Sequence, residues 1–156
     1  MQNFIQEQKL TSQEKTKVCK NVVSCVRSLH SNGIVHRDLT LSKILICPNT
    51  LKTKIIDFGL SRSKVLHSEI DSPEGDPNFR PPPFEIFNDL YCADYWCLAL
   101  VILSVLKNQK VSMKMGCTLM SKSEANQDIT KVLVLLQNCI LEKSQDFLLS
   151  LEDFFK

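Results

Sequence analysis

The amino-acid sequence predicts a mainly helical α+β domain in which short strands carry the polar motifs. Apolar residues recur at near-helical spacing after Thr11, and a second run, Tyr91–Leu106, is apolar on nearly every side. Two short branched segments, Ile44–Cys47 and Lys54–Ile56, flank the turn signal Pro48-Asn49 and predict a β-hairpin. A chain of 156 residues suits one domain, which we place at residues 1–156.

The first predicted helix covers residues 11–32. Thr11 and Glu14 have the spacing of a capping box, in which each side chain accepts a hydrogen bond from the other residue's amide. Asn32-Gly33 predicts the end of the helix, because glycine readily adopts the left-handed conformation found there. The segment Ile34–Val35 then reads as a short extended stub. The apolar stripe of the helix consists of Val18, Val22, Val26 and Leu29.

The elements after the hairpin are a loop and more helices. Ser61–Pro83 is polar and rich in proline, so we expect a long loop, which is uncommon unless it is functional or disordered. Residues 91–106 predict a central buried helix. Residues 128–156 predict the C-terminal helices, one over 128–141 with an apolar face and one over about 144–155.

The composition argues against several classes of function. Nineteen basic and seventeen acidic residues leave a net charge of +2, which is too balanced to favour nucleic acid or a membrane surface as a partner. The longest apolar run, Ala93–Leu106, is shorter than the ~20 residues that a membrane span needs. The four glycines cannot form a Gly-x-Gly-x-x-Gly phosphate loop.

The cysteines indicate a reducing compartment. There are seven of them, an odd number, and no Cys-x-x-Cys pair occurs. The polar and charged segment Met1–Lys20 does not resemble a secretory leader. We therefore expect free thiols and an intracellular protein of the cytoplasm or nucleus.

Two acidic motifs stand out as candidates for chemistry. His-Arg-Asp-Leu at positions 36–39 follows the first helix, and Asp-Phe-Gly at positions 57–59 follows the second strand of the hairpin. Asp38 and Asp57, at neighbouring loop ends, would suit one proton-handling and one metal-holding role. A second interpretation is that both are ordinary turn residues, since aspartate is common in turns.

The order of the motifs resembles that of eukaryotic protein kinases. Leu29–Leu39 is similar to the entry of their catalytic loop, and Lys54–Ser61 to their metal-binding strand and Asp-Phe-Gly turn. Asp94–Ala99 resembles the Asp-x-Trp-Ser-x-Gly start of their long buried helix. The resemblance covers roughly residues 11–155 and implies a kinase C-terminal lobe, with the catalytic loop at 36–43 and the activation segment at 57–85.

The resemblance also implies roles in chemistry. Asp38 would accept or orient the proton of a substrate hydroxyl, and Arg37 would contact the activation segment. Asp57 would hold the magnesium ion that bridges the nucleotide phosphates. Leu45 would form the floor under the adenine.

Four further residues would have structural roles by the same resemblance. His36 and Phe58 would stack into the column that links the two lobes, although they could also be core residues only. Gly59 completes the Asp-Phe-Gly turn. Asp94 would tie the catalytic loop's backbone to the buried helix, or it is simply a charge near a helix N-terminus.

Departures from the kinase pattern are as informative as the matches. The pattern places a magnesium-binding asparagine at position 43, where this chain has Lys43. An ammonium there repels a metal, although it could partly replace the metal's charge near phosphate. Thr40 stands where Ser/Thr kinases commonly have lysine. The segment Gly75–Glu85 looks like a degraded Gly-Thr-x-x-Tyr-x-Ala-Pro-Glu, and no arginine follows Arg80 to pair with the last glutamate.

The kinase N-lobe is expected to be absent. The helix before the catalytic loop begins about ten residues after Met1, and residues 1–10 could supply at most part of one more helix. His36, Leu45 and Phe58, which that lobe would cover, are then expected to form an exposed apolar patch. Such a patch predicts a protein partner, with another kinase as one candidate.

Three functions are therefore compatible with the sequence. The chain could be a truncated kinase or pseudokinase that acts by binding a partner. It could be an active or partner-completed kinase that transfers the ATP γ-phosphate to protein Ser/Thr, using ATP and Mg²⁺. It could also be a fragment of a longer kinase gene. The first function needs no cofactor.

Overall fold

The computed structural model describes residues 1–63, 75–77, 90–112 and 147–155, with isolated positions at 115, 131 and 134. The predicted helix over 128–141 and most of the activation segment at 57–85 lie outside these residues. The described helices are α1 (Gln2–Glu7), α2 (Ser12–Ser31), α3 (Leu90–Lys107) and α4 (Phe147–Phe154), with a 3₁₀ turn at Leu41–Lys43. The strands are β1 (Ile34–Val35), β2 (Ile44–Ile46), β3 (Thr53–Ile55) and β4 (Arg62–Ser63).

The predicted boundaries of α2 are confirmed. Oε2 of Glu14 accepts a 2.8 Å hydrogen bond from the Thr11 amide, and Oγ1 of Thr11 accepts one of 3.3 Å from the Glu14 amide. The helix ends at Ser31 with Asn32 as its C-cap, and Gly33 takes a φ of 70°. Local signals therefore determine both ends of this helix.

The predicted hairpin is also confirmed. β2 and β3 pair antiparallel with Ile44 opposite Ile55, and the Leu51 amide donates to the Cys47 carbonyl across the turn. The hairpin is attached to α2, since Nδ2 of Asn21 donates a 2.8 Å hydrogen bond to the Leu51 carbonyl. This hydrogen bond anchors the turn of the hairpin to α2.

The prediction that a loop begins at Ser61 is wrong, because Arg62–Ser63 form a strand. β4 pairs antiparallel with β1, placing Arg62 opposite Val35. Arg62 and Ser63 carry no apolar alternation that would predict a strand. Their pairing instead depends on the fully buried Val35, which is distant in sequence. The pairing holds the segment after Asp57 beside the segment that leads into the catalytic loop.

The core is built around α3, as its sequence predicts. Residues on every side of this helix are fully buried, and α2 contributes the facing stripe. α1 lies within residues 1–10, which were expected to supply at most part of one more helix, and its fully buried residue is Ile5. No helix within the described ranges is long and apolar enough to cross a membrane. The fully buried residues of α3 include Trp96, Leu98, Leu100, Val101, Ile102 and Leu103.

Candidate active site

Asp94 holds the catalytic loop from inside the core. This α3 carboxylate is fully buried, and its two oxygens accept 2.8 Å hydrogen bonds from the backbone amides of His36 and Arg37. Nε2 of His30 lies 2.9 Å from the same carboxylate. Three partners thus satisfy a buried polar group that would otherwise be costly. These contacts agree with the tie that the family resemblance implies for Asp94.

The loop that Asp94 holds has an uncommon backbone conformation at Arg37. Arg37 has a φ of 68°, in the left-handed region that few non-glycine residues occupy. Such a conformation persists when surrounding contacts determine it, and here the Arg37 amide is bound by Asp94. The next residue, Asp38, has a side chain that is 15% exposed and lies near the ammonium of Lys43.

Asp38 is covered by a turn of the activation segment. Its Oδ1 accepts a 2.9 Å hydrogen bond from the Asp76 amide. The preceding Gly75 has a φ of 92°, and a Cβ added there would lie 2.6 Å from the Arg37 carbonyl oxygen. Only glycine allows so close an approach. The sequence marks Gly75 as part of a degraded motif but does not reveal this contact.

Asp57 stands at the end of the hairpin with its carboxylate exposed. It also has a φ of 68°, and its Oδ1 accepts a long, 3.4 Å hydrogen bond from the Gly59 amide. The Ile56 amide donates to the Lys43 carbonyl at 2.9 Å, which places the backbone of Lys43 beside Ile56, the residue before Asp57. The two side chains can therefore meet.

Lys43 lies between the two carboxylates. Its Nζ forms a hydrogen-bonded ion pair with Oδ2 of Asp57 and lies 3.8 Å from Oδ2 of Asp38. The hydrogen bond from Lys43 lowers the pKa of the Asp57 carboxyl, and the same bond raises the pKa of the Lys43 ammonium. Both groups are ionised at neutral pH, so the ammonium neutralises the carboxylate expected to hold magnesium.

The expected apolar patch needs one correction. His36 is fully buried, so it is not part of an exposed surface. The His36 amide donates a hydrogen bond to the buried Asp94 carboxylate, and Nε2 of His36 lies 3.1 Å from the Ile56 carbonyl oxygen. Phe58 lies edge-on to the His36 ring with centroids 5.2 Å apart. The exposed pair is therefore Leu45, at 51%, and Phe58, at 45%.

The side chains at this site do not fit a divalent cation. Mg²⁺ prefers several oxygen ligands, including carboxylates. Asp57 offers a carboxylate, but the ammonium of Lys43 is bonded to it and has no lone pair to give a metal. Across the described ranges, no group of three or more His, Cys, Asp or Glu side chains is placed to hold a metal. Lys43 thus pairs a protein cation with the carboxylate that was expected to hold magnesium.

Comparison with known sequences settles the family. A family model described as the protein kinase domain matches residues 1–154. The chain belongs to the protein kinase family. In this protein kinase relative, Asp57 follows the β2–β3 hairpin, and Asp38 lies on the loop that Asp94 of α3 holds. The fold combines helices with small antiparallel sheets.

The similar curated proteins are named as kinases, and some of the names specify serine/threonine-protein kinases. A carbon catabolite-derepressing protein kinase of Candida albicans is 30% identical over 106 residues, covering 66% of this chain and 17% of its own length. A probable serine/threonine-protein kinase, fhkC, of Dictyostelium discoideum is 38% identical over 80 residues, 51% of this chain and 13% of its own. NUAK family SNF1-like kinase 1 of Homo sapiens is 32% identical over 109 residues, 67% of this chain and 16% of its own. The chain spans about a sixth of the curated relatives it matches.

Proposed function

We propose that this protein kinase relative is a pseudokinase, which acts by binding a protein partner and not by transferring phosphate. The observation that carries the proposal is the ion pair between Lys43 and Asp57. Phosphoryl transfer depends on metal ions that neutralise the charge on the nucleotide phosphates. A carboxylate already paired with a protein ammonium is poorly suited to hold that metal.

The exposed apolar side chains support a binding role. Leu45 on β2 and Phe58 after β3 are large and about half exposed, whereas Ile44 and Ile55 of the same hairpin are buried. Exposed aromatic and aliphatic residues of this kind are typical anchors of protein interfaces. We propose that they contact a protein partner, and the first candidate is another protein kinase. We do not propose nucleic acid or a membrane as a partner.

Transfer of labelled γ-phosphate from Mg-ATP tests the absence of activity. The purified chain is assayed on itself and on a generic protein substrate, beside Asp38→Asn protein prepared identically. We expect the two preparations to give equal label, at the level of contaminating kinases. Label that depends on Asp38 would overturn the proposal.

Partner binding is tested on a panel of purified protein kinase domains. We expect at least one to bind the chain, and Leu45→Ser with Phe58→Ser to weaken that complex at least tenfold. Val134→Ser is the matched control, because Val134 is also exposed, at 46%, but lies outside the hairpin. If the hairpin substitutions leave every complex unchanged, this face is not the binding site.

A second candidate function is an active kinase that a partner completes. The hydrogen bonds from the His36 and Arg37 amides to Asp94 favour this second function, since they hold the catalytic loop regardless of Lys43. In this case the chain would use ATP and Mg²⁺ and would phosphorylate Ser/Thr, as the names of its relatives suggest. The phosphate-transfer assay, repeated with each bound kinase domain carrying an inactivating mutation of its own, distinguishes the two functions.

A further inference from the structure

We propose that Lys43 is a tethered counter-ion that closes this site to divalent cations, and that Lys43→Asn alone opens a cation site on Asp57. The inference deepens the proposed function and rests on it, because both concern the ion pair of Lys43 with Asp57. It adds a specific cause for the loss of metal and a single residue that controls it.

The backbone holds Lys43 in place for this role. Its amide donates a 3.1 Å hydrogen bond to the Thr40 carbonyl, and its carbonyl accepts a 2.9 Å hydrogen bond from the Ile56 amide. The main chain of Lys43 is thus held beside Ile56, one residue before Asp57, and its side chain carries the ammonium to the Asp57 carboxylate. A tethered group competes at a high effective concentration, so a free cation must displace it to bind.

The charges favour the tethered cation over a free one. Asp57 and Asp38 supply two negative charges, and Lys43 lies within 3.8 Å of the second while bonded to the first. A divalent cation bound to Oδ2 of Asp57 would lie within a few ångströms of the ammonium and would be repelled by it. Lysine carries only donors, so it cannot become a ligand by turning.

Lys43→Asn changes the charge at position 43, the bond to Asp57 and the ability of the side chain to act as a ligand. The substitution removes the repelling charge and frees Oδ2 of Asp57, and it supplies a side-chain carbonyl oxygen, which is a preferred ligand of hard cations. The carboxylates of Asp57 and Asp38 are untouched. The backbone hydrogen bonds at position 43 involve only main-chain atoms, so asparagine retains them.

Binding of Mn²⁺ alone, without nucleotide, tests the inference. Free Mn²⁺ is counted by electron paramagnetic resonance while the full chain is added. We expect no saturable binding of Mn²⁺ to the native chain. We expect saturable binding to Lys43→Asn, with a dissociation constant at least tenfold below the lower limit set by the native chain. The gain should disappear in Lys43→Asn/Asp57→Asn. Lys54→Asn is the matched control, because it removes the same charge from an exposed position on the same hairpin and should bind no Mn²⁺.

Each outcome decides the inference. Saturable Mn²⁺ binding by the native chain at the affinity of Lys43→Asn would mean that the ammonium does not close the site. A correctly folded Lys43→Asn protein with no gain would mean that Lys43 is not what keeps the cation out. Lys43→Gln, with its longer amide, is the second variant if circular dichroism shows that Lys43→Asn is unfolded.

The outcome is separable from that of the proposed function. Mn²⁺ binding by the native chain without Asp38-dependent phosphate transfer would defeat the inference and leave the pseudokinase proposal standing. The opposite pattern, no Mn²⁺ binding but transfer that depends on Asp38, would defeat the pseudokinase proposal alone.

Discussion

The backbone amide of Asp76 donates a 2.9 Å hydrogen bond to Oδ1 of Asp38, so the activation segment rests directly on the carboxylate that the sequence resemblance assigns to proton handling. The other oxygen of Asp38 lies 3.8 Å from the Lys43 ammonium. Both oxygens therefore interact with the protein itself. An incoming hydroxyl would have to compete with these contacts, which is a further reason to expect weak or no catalysis.

Replacing Gly75 should break the contact between the activation segment and the catalytic loop. Gly75→Ala places a Cβ 2.6 Å from the Arg37 carbonyl oxygen and forces alanine to a φ of 92°. We expect a loss of about 1–3 kcal/mol in the free energy of unfolding, measured by urea denaturation. Gly59→Ala is the control, since its Cβ would lie at an ordinary 3.4 Å from Asp57 Oδ1. Equal losses in the two variants would contradict the tight packing at Gly75.

Removing the charge of Asp94 should destabilise the whole domain. Asp94→Asn keeps the shape but presents one oxygen where two backbone amides and His30 now find partners. A buried donor left without an acceptor costs about 1–3 kcal/mol, which should appear in the free energy of unfolding. Glu7→Gln, a similar change on the exposed side of α1, should have little effect. A stable Asp94→Asn protein would show that the loop does not depend on this carboxylate.

The capping box of α2 should give the stability a dependence on acid pH. Hydrogen bonds from the Thr11 amide and hydroxyl lower the pKa of the Glu14 carboxyl. A pKa lowered by folding means that the ionised form stabilises the fold above the ordinary glutamate pKa, and that this contribution is lost as pH falls through the lowered value. Glu14→Gln should therefore melt below the native chain at pH 7, and the difference should shrink below about pH 4. A difference that is constant with pH would contradict this origin.

Two leucines separate stability from binding. Leu100 in α3 is fully buried, so Leu100→Ala should cost about 2–5 kcal/mol in the free energy of unfolding. Leu45 is half exposed, and Leu45→Ala should change stability far less while weakening capture of the bound kinase domain. Denaturation curves and binding titrations on the same preparations check both statements. A large loss of stability in Leu45→Ala would mean that this side chain belongs to the core.

The sequence predicted those features whose causes are local. The Thr11–Glu14 capping box, the Asn32-Gly33 stop and the turn at Pro48-Asn49 are each determined by neighbouring residues, and each is present in the structure. The apolar composition of α3 likewise predicted its burial without knowledge of its neighbours.

What the sequence could not predict depends on distant contacts. β4 pairs with β1, which is distant in sequence, and Arg62-Ser63 give no sign of this pairing. His36 was expected at the surface, but its burial follows from the Asp94 hydrogen bond, which joins residues 58 positions apart. The departure at Lys43 was visible in the sequence, whereas its ion pair with Asp57 required the hairpin geometry.

Asp94 belongs to α3, the most deeply buried helix among the described residues, and also binds the amides of His36 and Arg37. The loop and the core are therefore one cooperative unit, and the loop cannot open locally without exposing a carboxylate in the protein interior. Hydrogen exchange at these two amides should consequently require global unfolding and be as slow as exchange in the middle of α3. A domain built in this way retains the shape of a catalytic loop for as long as it remains folded, whether or not it ever performs catalysis.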